Sequence, residues 1–251
     1  MRSALGAFAA AIQFLTRMPV PGRLSGAIAL RQAAPYFPLV GALLGAAAGG
    51  IDIALRSHLT PEAAAAAAVL FLVLATGALH EDGLADCADG FGGGGQSRER
   101  ILVIMRDSRI GSFGAIAIAM SLLLRIVSIA ALPARHTLAD IVCAETLGRW
   151  SVLPLGLLLP AARRDRTASG QGAVLARQLS PFALILGTLI ALAVTAGLLR
   201  TASWQPWAVG LVMTASSGVY FHRRIGGVTG DGFGAALQLV TVAIYVWAAW
   251  R

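Results

Sequence analysis

A continuous apolar run decides the fold of this chain: residues 181–200 read PFALILGTLIALAVTAGLLR, with no charged side chain before the final arginine. A helix needs about 20 mostly apolar residues to cross the hydrocarbon core of a bilayer. Six other stretches are comparable, at about 35–55, 62–80, 112–132, 138–160, 205–222 and 233–250. Their length and their content of Ala, Leu and Gly favour helices over the short alternating strands of a membrane barrel.

The sequence therefore predicts an all-α fold: a polytopic integral membrane helix bundle of about seven transmembrane helices, formed by a single domain over residues 1–251. Residues 4–16 are apolar but short, so we expect an interfacial or re-entrant helix there. Within the first span, Gly41, Gly45 and Gly49 repeat every four residues, a spacing that predicts close packing against another helix.

Composition excludes most soluble classes of protein. Hydrophobic residues make up 57% of the chain and charged residues 13%, against about 25% charged residues in a soluble domain. The two cysteines suggest neither a disulfide framework nor a zinc site. A net charge of +8 would point to nucleic acid in a soluble protein. Here the basic residues are all arginines and most lie between the apolar runs, so we expect a lipid bilayer as partner and no nucleic acid.

The same arginines predict the orientation of the chain. Counted over the segments that flank the seven stretches, 14 arginines lie on one side and 4 on the other. Because arginine-rich loops remain in the cytoplasm, we expect the N-terminus to be cytoplasmic.

Three aspartates follow the second span, within residues 80–90, HEDGLADCADG. Asp82, Asp86 and Asp89 are spaced i, i+4 and i+7, which places them on one face of a helix. Like charges on one face repel unless a cation lies among them, and carboxylate oxygens suit Mg²⁺. The segment therefore predicts a magnesium site, against the alternative of a solvated acidic loop.

Several roles near these aspartates stay open. On a continuous helix His80 would face away from them. Its role is open between a ligand, a base and an interfacial histidine. The glycine-rich residues 90–95 predict a flexible linker. Arg149 lies inside the fourth span, where a charge is costly; it either reaches a phosphate or pairs with Glu145 one turn earlier. Arg125 has no partner within its own span.

Two loop segments are candidates to complete a phosphate site. Asp107 lies between Arg106 and Arg109, and Ser112 is placed to cap the third span. Arginines and helix N-termini both favour anions. Residues 226–234, GGVTGDGFG, open the last span, and such a turn exposes backbone N–H groups to phosphate. The plainer interpretations are a capped helix with positive-inside charges and a tight interhelical turn.

The predicted topology brings all three segments to one cytoplasmic face. Acidic residues, arginines and glycine turns at one face suit phosphoryl transfer, in which positioning and charge neutralisation supply most of the catalysis. This convergence is the main argument from the residues for an active site.

These segments resemble, in order, the signatures of the cobalamin synthase family, the adenosylcobinamide-GDP ribazoletransferases of vitamin B12 assembly. Residues 80–90 resemble its acidic signature, residues 106–114 its second and residues 226–231 its C-terminal one. Residues 14–21 and 148–150 also fit, and the resemblance covers about residues 8–240.

The resemblance implies a multi-pass enzyme of the bacterial inner membrane with Mg²⁺ as its cofactor. Such an enzyme joins adenosylcobinamide-GDP to alpha-ribazole or its 5′-phosphate and releases GMP. The resemblance leaves open a homo-oligomer and an association with other cobalamin-assembly enzymes.

The resemblance also assigns residue roles as expectations. Asp82, Asp86 and Asp89 would hold Mg²⁺ on the diphosphate, and Asp107 or Asp231 would complete the metal shell or accept the hydroxyl proton. The catalytic candidates are Asp82, Asp107, Asp231 and His80. The candidates for phosphate and substrate binding are Arg17, Arg106, Arg109, Arg149, Gly226, Gly227, Thr229 and Gly230.

Two other functions are alternatives. CDP-alcohol phosphotransferases also use an aspartate-held metal, but here Asp86 stands where their Ala-Arg pair would begin after Asp82 and Gly83. A transporter would place charges near the midplane and repeat its two halves, whereas most charges here lie at one face.

Overall fold

A computed structural model describes residues 4–20, 27–162, 175, 179–199 and 204–251. The arginines of the orientation count that lie outside these ranges are Arg2, Arg23, Arg163, Arg164, Arg166, Arg177 and Arg200. Pro21, at the end of the N-terminal resemblance, also lies outside them.

The described secondary structure is helical, as predicted, apart from one isolated parallel bridge between Ala161 and Val228. The helices are α1 (Ala4–Leu15), α2 (Ala27–Ala33), α3 (Phe37–Leu55), α4 (Pro61–Thr76), α5 (Leu79–Gly93), α6 (Arg98–Ile104), α7 (Ser112–Ala131), α8 (Thr137–Trp150), α9 (Val152–Leu158), α10 (Pro181–Leu199), α11 (Trp204–Ile225) and α12 (Gly230–Trp250). A 3₁₀ turn at Ala34–Tyr36 joins α2 to α3.

Five helical segments of the described chain are long and apolar enough to cross a membrane, and α4 with α5 makes a sixth if that bent pair is one span. The five are Leu30–Leu55, Ser112–Ala131, Thr137–Leu158, Pro181–Leu199 and Gly230–Trp250. The stretch predicted at 205–222 does form a helix, α11, but α11 is outside this set. Its Ser, Thr and Gln residues and its His-Arg-Arg end lower its mean hydropathy. The membrane bundle is confirmed, with five or six such helices against the seven expected.

The second predicted span is broken where the sequence suggested continuity. Thr60 caps the start of α4, accepting a hydrogen bond from Ala63, and α4 ends at Thr76. Gly77 and Ala78 both adopt the left-handed region, with φ of 65° and 56°, and α5 leaves at 88° to α4. The expected flexible linker at 90–95 is wrong for its first part, because α5 continues through Gly93.

The glycine repeat in α3 packs against α8, as predicted. A Cβ at Gly45 would lie 2.8 Å from the Cα of Val142, and one at Gly49 would lie 2.8 Å from the Leu138 side chain. The absence of side chains on this face of α3 therefore lets the two backbones approach closely.

Hydrogen bonds at the helix ends establish how the helices alternate. Arg56, after α3, donates to the carbonyls of Ile129 and Leu132 at the end of α7. Arg251 pairs with Asp140 near the start of α8. The starts of α7 and α12 therefore share the opposite end of the bundle, which we call the site end.

Candidate active site

The acidic helix α5 lies across the first turns of α7 and α12. A Cβ at Gly83 would lie 2.8 Å from the carbonyl oxygen of Asp231, so α5 and the start of α12 touch backbone to backbone. Farther along α5, the Asp89 carboxylate accepts hydrogen bonds from the N–H groups of Gly111 (2.7 Å) and Gly114 (2.8 Å). The predicted convergence of the three sequence segments is thus present as direct contacts.

Arginines close the same end of the bundle. Arg224, at the end of α11, donates to the carbonyl of Gly95 at 2.6 Å and to that of Phe91 at 3.2 Å. Arg98 donates to the carbonyl of Ala162 at 2.7 Å. These two arginines, counted at first only as orientation signals, also join loops at the site end.

The three aspartates on α5 have different surroundings. Asp82 is exposed, whereas Asp86 and Asp89 are half-buried. Asp89 satisfies two N–H groups at the start of α7, where a carboxylate also benefits from the helix dipole. Ser112 was the predicted cap of this helix, and that prediction is wrong. The N-cap residue is Gly111, with no side-chain cap of its own, because Asp89 supplies the acceptor from another helix.

A cavity of about 260 Å³ opens between α5 and the first turns of α12. Its polar walls come from His80, Asp82 and Asp231. Among the described residues, no group of three or more His, Cys, Asp or Glu side chains is close enough to hold a metal by itself. Mg²⁺ needs fewer protein ligands, because it takes one or two carboxylates and completes its shell with water and substrate phosphates. Asp82 and Asp231, lining one cavity, fit that requirement.

His80 is buried, 4% exposed, and it shares the cavity with Asp82, although the sequence predicted that it would face away from the aspartates. It lines the cavity and also the polar cluster behind it. The 88° bend just before α5 explains the difference, because it turns the first residues of that helix into the bundle.

Asp107 and Arg109 form an exposed ion pair in the loop before α7. The Arg109 guanidinium donates to Asp107 at 2.6 Å and 3.0 Å. These hydrogen bonds lower the pKa of Asp107 to about 2 and raise the pKa of Arg109. A carboxylate with so low a pKa is a weak base, so this pair suits charge placement better than proton abstraction. Arg106 is exposed in the same loop.

The glycine turn before α12 divides into two parts. Gly226 has a φ of 70°, and Gly227 is packed against the 160–162 segment, where Val228 exchanges hydrogen bonds with Pro160 and Ala162. Thr229 caps α12 by accepting from Gly232 at 3.0 Å. These residues form the tight turn that was the plainer interpretation. Gly230, by contrast, lines the cavity beside Asp231.

Arg17 lies at the bend between α4 and α5. Its backbone N–H donates to the carbonyl of Ala75 at 2.8 Å, and its side chain packs over Gly77. Arg17 is exposed, and both Leu15 before it and Leu79 after the bend line the cavity.

Four buried charges form an ionic cluster behind the cavity. Arg149 donates to Glu145 at 2.6 Å, which decides between the two alternatives for that arginine. Arg125 donates to Glu81 at 2.9 Å and lies 3.8 Å from Glu145. Gln238 also donates to Glu81, at 2.8 Å, and Tyr245 donates to Glu145, at 2.9 Å.

Sequence reasoning missed Glu81, and it treated Arg125 as less informative than Arg149. Glu81 is 4% exposed and Arg125 is 2% exposed, so both are buried members of one cluster. The available signal was that an arginine inside a span requires a buried partner. The partner was not identified because it lies 44 positions away along the chain.

The sequence matches a known family over nearly its whole length. A profile of the family described as cobalamin-5-phosphate synthase matches residues 7–249. The chain belongs to this family. A relative from Ralstonia nicotianae, named adenosylcobinamide-GDP ribazoletransferase, is 38% identical over 100% of this chain and 97% of its own length. Relatives of the same name from Azorhizobium caulinodans and Klebsiella pneumoniae are 44% and 35% identical, over 93% and 92% of this chain. No solved structure matches the chain.

Membership of the cobalamin-5-phosphate synthase family makes this chain an enzyme, a transferase of cobalamin biosynthesis with several membrane helices. The match of residues 7–249 includes all three segments that meet at the site end. The resemblance inferred from those segments is therefore confirmed at the level of the family.

Proposed function

We propose that this enzyme transfers the adenosylcobinamide-phosphate group from adenosylcobinamide-GDP to alpha-ribazole or its 5′-phosphate, with release of GMP. The observation that carries the proposal is the meeting of Asp82 and Asp231 at one cavity, where α5 crosses the start of α12. The names of the relatives supply the substrates.

The reaction requires one bond to form and one to break. A ribose hydroxyl oxygen of the acceptor attacks the phosphorus that bears the cobinamide side chain. The bond from that phosphorus to the bridging oxygen breaks, and the bridging oxygen leaves on GMP. The hydroxyl proton passes to a carboxylate, and Asp231 is the better candidate because Arg109 keeps Asp107 a weak base.

Mg²⁺ would be held by Asp82, with Asp86 on the same helix as a further candidate, which leaves Asp231 across the cavity to take the proton. When bound, the ion supplies neutralisation of the negative charge that develops on the diphosphate. The chain itself contributes the start of α12, where N–H groups and the helix dipole favour an anion beside Gly230. Arg17, Arg106 and Arg109 are exposed cations around this end and would contact substrate phosphates.

The 14-to-4 distribution of arginines supports an inner-membrane location with the site end in the cytoplasm. Charged nucleotide substrates are found in the cytoplasm, so this orientation gives them access to Asp82. A homo-oligomer and an association with other cobalamin-assembly enzymes stay predictions.

The direct test is release of GMP by the purified protein in liposomes. Adenosylcobinamide-GDP and alpha-ribazole would be supplied with Mg²⁺ or with a chelator, and the corrinoid product identified by mass. We expect GMP and a cobalamin product only when Mg²⁺ is present. A folded protein that released no GMP from this donor, but released CMP from a CDP-alcohol, would replace the proposal with the phosphotransferase alternative.

A further inference from the structure

The cavity beside Asp82 has two chemically different walls. Its polar groups, His80, Asp82 and Asp231, come from α5 and the first turn of α12. The rest is largely apolar, and most of it comes from α1, α3, α9 and α12 itself: Phe14, Leu15, Phe37, Val152, Phe233 and Leu237. The Phe14 and Phe37 rings stack with centroids 5.4 Å apart and an interplanar angle of 8°.

The size of the cavity limits which part of either substrate can enter. Its volume of about 260 Å³ is slightly below the usual range for a pocket that holds a whole drug-sized ligand. A bicyclic aromatic ring fits such a space, whereas a corrin macrocycle or a complete nucleoside diphosphate does not.

The apolar side chains of the cavity favour one of the two aromatic bases in the reaction, dimethylbenzimidazole, over the other, guanine. Guanine carries several hydrogen-bonding groups, which would lose water against Phe14, Phe37 and Val152 without gaining partners. The dimethylbenzimidazole base of a ribazole is almost entirely apolar, and its burial against the same side chains is favourable.

We propose that this cavity is the binding subsite for the apolar aromatic base of the nucleoside acceptor, and that the corrinoid donor remains at its mouth. This inference rests on the proposed function, because it assigns one part of one substrate to the site. Seating the base among Phe14, Phe37 and Val152 leaves the ribose beside the carboxylates of Asp82 and Asp231. The nucleophile is thereby delivered from the apolar wall of the cavity.

A cavity-filling substitution tests the assignment. Val152→Phe places a ring in the subsite without touching Asp82 or Asp231. Leu189→Phe is the matched control, because Leu189 is 58% exposed on α10 and does not line the cavity. We expect Val152→Phe to raise the KM for alpha-ribazole by about 10-fold or more, the range for misfit in an apolar pocket. The KM for adenosylcobinamide-GDP should stay unchanged, as should both constants in the control. A rise in the donor KM alone would overturn the assignment.

A second experiment needs no variant. Free 5,6-dimethylbenzimidazole, which lacks the ribose and cannot react, should inhibit the wild-type enzyme competitively against alpha-ribazole and not against adenosylcobinamide-GDP. Its binding can also be measured directly by calorimetry in detergent. Active enzyme that the base inhibits only by competition with the donor would refute the subsite. Protein that binds the base but releases no GMP would instead refute the proposed function.

Discussion

Glu81 and Asp82 are neighbours in the sequence, yet they belong to two different regions of the molecule. Glu81 points into the bundle, where Arg125 and Gln238 hold it within 2.9 Å. Asp82 is exposed at the cavity. The Glu81 carboxylate therefore anchors α5, whereas the Asp82 carboxylate lines the cavity. The comparison shows that neighbouring carboxylates of this segment have different surroundings, which their spacing alone does not reveal.

The largest effect is expected from Asp82→Asn, which removes the cavity charge and leaves the ionic cluster intact. We expect kcat/KM for GMP release to fall by about 10³-fold, the scale for loss of one preorganised electrostatic group. The thermal unfolding midpoint in detergent should not change. Glu62→Gln, at the exposed start of α4, is the matched loss of one negative charge and should keep full activity. Near-normal turnover by Asp82→Asn would contradict the proposal that Asp82 holds Mg²⁺ at the cavity.

Arg125→Met tests the role of Glu81 in the ionic cluster. This change leaves Glu81 and Glu145 without the cation between them, and breaking a buried pair costs about 3–5 kcal/mol of stability. The free energy of unfolding in mixed detergent micelles measures the loss.

A matched double variant makes that experiment specific. Arg125→Met with Glu81→Gln removes both charges of the pair, so we expect it to recover part of the lost stability. If the double variant were less stable than Arg125→Met by the full cost of Glu81→Gln alone, the two residues would not be coupled.

Asp89→Asn tests whether Asp89 stabilises the start of α7 or binds Mg²⁺. The amide keeps one acceptor oxygen but loses its charge at the start of α7, so we expect a loss of about 1 kcal/mol of stability. The Mg²⁺ concentration for half-maximal activity should stay at the wild-type value. An increase of tenfold or more in that concentration would make Asp89 a metal ligand, as the spacing first suggested.

A change at Arg17 sharpens the question of the acceptor. Arg17 lies at the bend next to cavity residues Leu15 and Leu79, so its guanidinium is placed for a 5′-phosphate on the acceptor. We expect Arg17→Gln to lower kcat/KM by about tenfold with alpha-ribazole 5′-phosphate, the scale of one charge-assisted hydrogen bond. Turnover of unphosphorylated alpha-ribazole should be unaffected. Equal losses with both acceptors would assign Arg17 to the donor or to packing.

Much of the architecture was predictable because it follows from local pattern. Apolar length identified the membrane helices, and the four-residue glycine spacing identified the face of α3 that meets α8. The i, i+4, i+7 spacing correctly anticipated that Asp82, Asp86 and Asp89 share one helix. The alternation of arginines anticipated that the three segments meet at one end.

The remainder depends on tertiary partners, which spacing does not reveal. The bend at Ala78 was missed because alanine rarely adopts a positive φ, and nothing local signals it. Asp89, not Ser112, caps α7. Asp89 lies 22 and 25 positions before the two residues whose N–H groups it binds. Glu81 was overlooked because its partner Arg125 is on another helix.

The bend after α4 has a consequence for the bilayer. With 16 residues, α4 is about 24 Å long, shorter than the roughly 30 Å hydrocarbon core of a typical membrane. A short segment is accommodated by thinning the lipid around it. If α4 crosses the bilayer, we therefore expect the acidic helix that follows to lie in a local depression of the membrane surface. Turnover should then depend on lipid chain length, and acyl chains that match α4 should support it better than longer ones.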